Sequence, residues 1–231
     1  MDFHILTIFP EMFDSPFSVG LISKAVAKGS VNIVCHDIRK YATDSHNTVD
    51  DYPFGGGAGM VMKPEPIFSA VEDLQSSKLI GGKSRIIVMS PQGRVFDNKI
   101  AKELTQYNEL VLICGRYEGI DERVIQDLAD EELSIGNYIL NGGELASMVI
   151  VDSVARLLPG IVGSEESILR DSLSDNLLKY PQYTRPRLFK GLEVPEVLLS
   201  GNHKMIEEWR RSKSIERTNQ KRPDLLKEED V

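Results

Sequence analysis

Short runs of apolar residues alternate along the first 160 positions with segments whose apolar residues recur every three or four places. FHILTI, VNIVCHD, RIIVMS and ELVLICG are such runs, beginning at Phe3, Val31, Arg85 and Glu109. Between and beyond them, residues 19–27 (closed by Gly29), 66–74, 99–107, 121–128 and 144–158 carry the helical period, and a further short strand ends at Ile135. A run that is apolar at nearly every position and rich in β-branched residues suits a strand covered on both faces. The order therefore predicts an α/β fold with a mostly parallel sheet between helices.

After Pro159 and Gly160 the periodicity lapses into IVGSEESILRDSLSDN. The chain is expected to divide into a domain of residues 1–160, an exposed, flexible linker of residues 161–176 and a small, mainly helical domain of residues 177–231. In the last of these, Asn202 is placed to cap a helix that turns Met205, Ile206 and Trp209 inward and carries Arg210, Lys213 and Arg217 along another face. A length of 231 residues suits that division.

Composition narrows the classes. With 41% hydrophobic and 27% charged residues, no apolar run of bilayer length and no basic leader or cleavage site at the start, a cytoplasmic protein without a membrane segment is expected. Cys35 and Cys114 sit in apolar runs, which suits reduced core thiols better than a disulfide or a zinc site; His4, His36, His46 and His203 show no ligand spacing, so no structural metal is expected. A net charge of −8 argues against a polyanionic partner until its distribution is seen. Residues 179–222 hold 11 Lys and Arg against 5 Glu, whereas residues 1–178 hold 15 bases and 26 acids. The commoner meaning of such a basic run is a solvated helix face; contact with a nucleic acid is the sharper one.

In an open parallel sheet, ligands sit beyond the carboxyl ends of the strands. Three stretches there are unusual: SPQG at 90–93, GRYEGID at 115–121 and SIGNYILNGGE at 134–144. Glycines among polar positions let the backbone come close to a ligand and offer it N–H and C=O groups. One such loop is usually only a tight turn; three at one edge point to a binding site. Residues 55–59, GGGAG, are not a Walker loop, because Met60, Val61, Met62 and Lys63 lead to Pro64 with no G-K-[ST]. The first strand runs into Phe9, Pro10, Glu11 and Met12 and not into G-x-G-x-x-G, which speaks against a Rossmann dinucleotide site and against the Rossmann type of methyltransferase.

Together, FGGGAGM, SPQG, ICGRYEGIDERV, SIGNYILNGGELA, DSVARLLPG, RDS, YTRP, VPEVLLSGNH and KRPDLL, in this order over nearly the whole chain, resemble the bacterial tRNA (guanine-N1)-methyltransferase family, in the SPOUT-type superfamily of knotted methyltransferases. The resemblance implies transfer of a methyl group from S-adenosyl-L-methionine to N1 of guanosine 37, immediately 3′ of the anticodon. It also implies tRNA bound by the C-terminal domain, an obligate homodimer with the active site shared between subunits, and a deep trefoil knot that general topology rules would call very improbable. It places the cofactor on Ser90, Pro91, Gln92, Gly93, Gly115, Tyr117, Glu118, Gly119, Ser134, Ile135, Gly136, Asn137, Tyr138, Ile139, Leu140, Gly142 and Gly143. Asn137 and Asn141 stand where relatives often carry Asp and Ser or Thr, and Lys179 and Gln182 where other residues are common.

Guanine N1 carries a proton in the neutral base and is a poor nucleophile until it is removed. The resemblance makes Asp171 the general base and Arg156 the cation that stabilises charge on O6. Taken alone, the same residues read as a linker carboxylate and a helix C-terminal cation. A base carried on a linker would couple chemistry to docking of the RNA. Glu118 reads as a helix-start carboxylate or as a partner for the sulfonium or for Mg2+. Two rivals remain beside a knotted methyltransferase of other specificity: a non-catalytic RNA-binding regulator, and a nucleotide hydrolase that lacks its G-K-[ST].

Overall fold

The structure, a computed structural model, describes residues 1–162, 171–173 and 176–226, and the chain divides into two compact units, Met1–Gly163 and Ser164–Val231. Residues 163–170, 174 and 175 of the expected linker lie outside the described residues.

In the first unit the chain runs through β1 (Asp2–Thr7), α1 (Asp14–Phe17), α2 (Gly20–Ala27), β2 (Asn32–Asp37), β3 (Asp50–Asp51), β4 (Val61–Met62), α3 (Pro64–Ser76) and β5 (Ser84–Val95). It continues through α4 (Asn98–Leu104), β6 (Glu109–Cys114), α5 (Glu122–Asp127), β7 (Glu131–Ser134) and α6 (Glu144–Ala155). The apolar runs form one sheet in the order β2-β1-β6-β5-β7 with every pairing parallel, and β3 and β4 form a small antiparallel pair. Successive side chains of a strand point to opposite faces, so each run feeds two cores. Phe3, Ile5, Ile87, Met89, Leu110 and Leu112 pack with Ile22 of α2, Ile100 of α4 and Val151 of α6. Leu6, Ile86, Val88, Val111 and Ile113 pack on the other face with Ile67 and Leu74 of α3 and Val124 of α5. Local chemistry sets the helix ends: Asp97 accepts from the Ile100 N–H at the start of α4 (2.8 Å), and Gly29, at φ +69°, closes α2.

Several boundaries differ from expectation, two of them near the carboxyl ends of β5 and α6. β5 does not stop at Ser90: Met89 pairs with Leu133, the chain leaves the ladder, and Arg94 and Val95 return to pair with Leu133 and Ser134. Pro91 has no N–H to give a ladder, which favours the excursion there. α6 ends at Ala155, with Arg156 as its capping residue.

In the second unit, β8 (Leu188–Phe189) and β9 (Leu192–Glu193) form a hairpin turned by Lys190 and Gly191 at φ 51° and 80°, the conformation that matches strand twist in a two-residue turn. A long helix, α7 (His203–Lys221), starts where Asn202 Oδ1 accepts from the Met205 N–H (3.3 Å). Its inner face departs from the expected one at Met205. Met205 is 51% exposed, while Ser214 and Thr218 are buried and Ile206, Trp209, Arg210 and Arg217 are half-buried. The arginine stems themselves pack: the Arg210 guanidinium lies 5.0 Å over the Tyr180 ring, and Arg217 Nη1 donates to the Lys179 carbonyl (3.1 Å). Among the described residues no helix is long and apolar enough to cross a membrane.

On the face of the sheet that packs against α3, His4 Nδ1 of β1 lies 3.0 Å from His36 Nε2 of β2, so one ring donates and the other accepts a single shared proton. Burial lowers the proton affinity of both rings, and in His36 the neighbouring His4 adds to burial, bringing its pKa to about 4; Asp2, Glu109 and Asp73 act in the opposite sense. As pH falls below the ordinary histidine value, the unfolded chain binds protons that the folded pair refuses. The pair's stabilisation is therefore complete above that value and is lost as pH falls towards 4. The unfolding free energy in urea is expected to fall by about 1 kcal/mol more, on going from neutral pH to about pH 5, in the wild type than in His36→Gln. Equal losses in the two proteins would rule this out.

Candidate active site

The three glycine-bearing loops meet at the carboxyl ends of β5, β6 and β7 and line a cavity of about 440 Å³. Ser90, Pro91 and Gln92 contribute from the β5 excursion; Gly115, Tyr117, Glu118 and Gly119 follow β6; Ser134, Ile135, Gly136, Tyr138, Ile139, Leu140, Gly142 and Gly143 follow β7. Two of the residues expected there, Gly93 and Asn137, are not on the wall. Gly93 instead lies against the backbone of Glu132 and Leu133, where a Cβ has no room, and so lets β5 rejoin β7.

Backbone hydrogen bonds set the loop geometry. Gly143 N–H donates to Gly115 O (2.9 Å), Glu118 N–H to Met60 O (2.9 Å) and Met62 N–H to Gly119 O (2.9 Å). Tyr138 folds back so that its ring fills the space a side chain at Gly136 would need, and its hydroxyl donates to Ile135 O (3.2 Å). Tyr117 holds φ +59°, a conformation uncommon for a residue with a Cβ, and is half-exposed on the cavity wall.

Reading by sequence passed over the group that ties these loops together. Glu144, 0% exposed at the first turn of α6, accepts from Thr7 Oγ1 (2.9 Å) and from Arg116 Nε (2.9 and 3.1 Å). Arg116 also donates to Asn141 O (3.3 Å) and lies 4.6 Å over the Phe9 ring. A Cβ at Gly142 would strike both Arg116 and Glu144. Both residues stand inside motifs already singled out, but a carboxylate at a helix start ordinarily faces water, and only its burial marks this one.

Arg156 is not on the cavity wall. Arg156 closes α6 at the end opposite Glu144, roughly 18 Å along a helix that rises 1.5 Å per residue. Asp171 belongs to the second unit, where its Oδ1 is 3.1 Å from Lys179 Nζ. Among the described residues, no three His, Cys, Asp or Glu side chains gather as a metal site.

The cavity lining is mixed: Val88, Met89, Leu133, Ile135, Ile139 and Leu140 are apolar, Glu118, Glu122 and Glu132 are acidic, and Arg116 is basic. Glu144→Ala is expected to lower the unfolding free energy by about 3 kcal/mol, because Arg116 and Thr7 lose their buried acceptor, and an Arg116→Met, Glu144→Leu double variant should recover most of that loss. Urea unfolding of the three proteins checks it; a mild Glu144→Ala phenotype would show that the pair is not holding the loops.

The chain matches the family described as tRNA (Guanine-1)-methyltransferase TrmD over residues 1–228. It is 55% identical to a tRNA (guanine-N(1)-)-methyltransferase of Geobacillus kaustophilus (strain HTA426), covering 99% of this chain and 92% of that protein. Likeness to the proteins of the same name from Bacillus cereus (strain G9842) and Geotalea uraniireducens (strain Rf4) is 52% over 100% and 94% of the two chains, and 51% over 98% and 90%. With the match running from the first strand to the end of the described residues, the chain belongs to the tRNA (guanine-N1)-methyltransferase family.

Proposed function

We propose that the protein transfers a methyl group from S-adenosyl-L-methionine to N1 of guanosine 37 in tRNA, as a homodimer. The cavity at the sheet edge is the observation that carries the reading: its apolar wall suits an adenine, and its carboxylates suit ribose hydroxyls and a cation. Glu118 supplies negative charge there for the sulfonium or for Mg2+. When bound, S-adenosyl-L-methionine supplies an electrophilic methyl group.

The residues of this chain do the rest. Asp171 accepts the proton of guanine N1, which exposes the in-plane lone pair to the methyl carbon. The charge released onto O6 is met by the Arg156 guanidinium, whose planar fork also suits the O6 and N7 edge of guanine. Arg156 lies at the far end of α6 from the cavity of its own chain, so a second copy supplying Arg156 completes the site. The exposed Leu145 and Val149 on α6, and Phe9, Met12 and Val19 from the β1 to α2 segment, support an interface with that copy. The family's trefoil knot belongs to the same reading; the bridge between Arg116 and Gly142, which straps two of the loops together, is consistent with it. The basic residues of the second unit, Arg185, Arg187, Lys190 and Arg211 among them, hold tRNA phosphates, and a tRNA substrate places the enzyme in the cytoplasm.

The test is transfer of labelled methyl to unmodified tRNA with guanine or adenine at position 37. Label is expected as 1-methylguanosine and is expected to vanish with adenine. Asp171→Asn should slow transfer about 100-fold or more while calorimetric binding of S-adenosyl-L-methionine is unchanged. Label on another atom, or no transfer although both ligands bind, would sink the reading.

A further inference from the structure

On the second unit, Asp171 is engaged by its neighbours. The Asp171 and Lys179 side chains are only 26% and 24% exposed across their 3.1 Å ion pair. Around it, the Lys179 N–H donates to Ser172 Oγ (3.0 Å), and the Leu173 N–H to Leu177 O (2.8 Å). That corner is fastened to the inner face of α7: the Leu178 N–H donates to the buried Thr218 Oγ1 (2.8 Å), and Arg217 Nη1 to the Lys179 carbonyl (3.1 Å). Lys179 thus has its backbone fixed on both sides by α7 and Ser172, and its flexible stem spans the gap to the carboxylate.

We propose that Lys179 is a positioning residue that parks the Asp171 carboxylate on the C-terminal unit, and that a tRNA phosphate releases the carboxylate by taking the ammonium. This rests on the reading of Asp171 as the base. The bond to the ammonium group fixes the direction of the carboxylate, so the carboxylate is freer to turn to the N1 proton once that partner has gone. Lysine suits the exchange, because its charge is compact, its stem is mobile, and a phosphate offers it an equivalent charge-assisted bond. Opening the pair costs less with a polyanion, where the ammonium keeps a charge-assisted bond, and the cost that remains with tRNA bound is what Lys179→Met removes. The base is therefore withheld until RNA is in place.

The experiment uses the full chain with S-adenosyl-L-methionine and a tRNA transcript carrying guanine at position 37. Single-turnover transfer at saturating tRNA is compared in the wild type, Lys179→Met and Lys179→Arg, and amide exchange at Leu173 and at position 179 is followed without tRNA. Lys179→Met is expected to exchange faster at both amides and to transfer methyl about three- to tenfold faster, while its tRNA binding is weaker, with a salt dependence shallower by about one ion. Lys179→Arg should behave as the wild type. A lysine that only supports the fold would slow transfer or leave it unchanged, so transfer in Lys179→Met no faster than wild type overturns the proposal, as does unchanged amide exchange. Asp171→Asn keeps the two readings apart: full transfer in that variant removes Asp171 as the base, while the exchange comparison still decides whether Lys179 holds the segment.

Discussion

A buried carboxylate at the head of α6 holds the working edge of the first unit in one arrangement. Glu144 lies out of water, and its desolvation is offset by three convergent sources: the Thr7 hydroxyl at the end of β1, the Arg116 guanidinium beyond β6, and the positive end of its own helix. Each belongs to a different stretch of chain. The sheet could bury many combinations of Val, Ile and Leu with similar gain, but this polar junction is satisfied in only one way. The glycines at 142 and 143 follow from it, since one runs beside the ion pair and the other passes against Met89 and the Cys114 backbone.

The GGGAG stretch has a structural part in the same edge. Gly59 leaves room for the Glu118 side chain, which would otherwise meet a Cβ, and Met60 and Met62 exchange backbone hydrogen bonds with Glu118 and Gly119. A segment with the look of a phosphate loop thus serves as a brace for the cavity wall. The loop after β6 is gripped from one side by this brace and from the other by Glu144, which leaves Tyr117 between them in its left-handed conformation.

Much of the fold was legible because each strand of the sheet interior is a nearly unbroken apolar run. FHILTI and ELVLICG read as buried strands, and they occupy the central positions β1 and β6. What could not be read depends on contacts between distant residues. The return of β5 to its ladder after SPQG is decided by β7, some forty residues on. The inner face of α7 was misjudged at Met205 because small residues, Ser214 and Thr218, form the close contact, and hydrophobicity alone does not reveal them. At the site, the loops announced themselves by their glycines, whereas Arg116 and Glu144 did not, because burial is what makes an ordinary ion pair into a fastening. The roles proposed for Arg156 and Asp171 rest on family likeness alone; by residue type and spacing they read as a helix cap and a linker carboxylate.

α6 acts as a measuring rod. One end is clamped to Thr7 and Arg116 by Glu144 and the other carries Arg156, so the number of residues between them fixes both an axial offset and an angular phase. Inserting one residue would turn Arg156 by about 100° relative to Glu144. A length change within the helix would put its two ends out of step, and in the dimer proposed above the alignment would be lost in both copies at once.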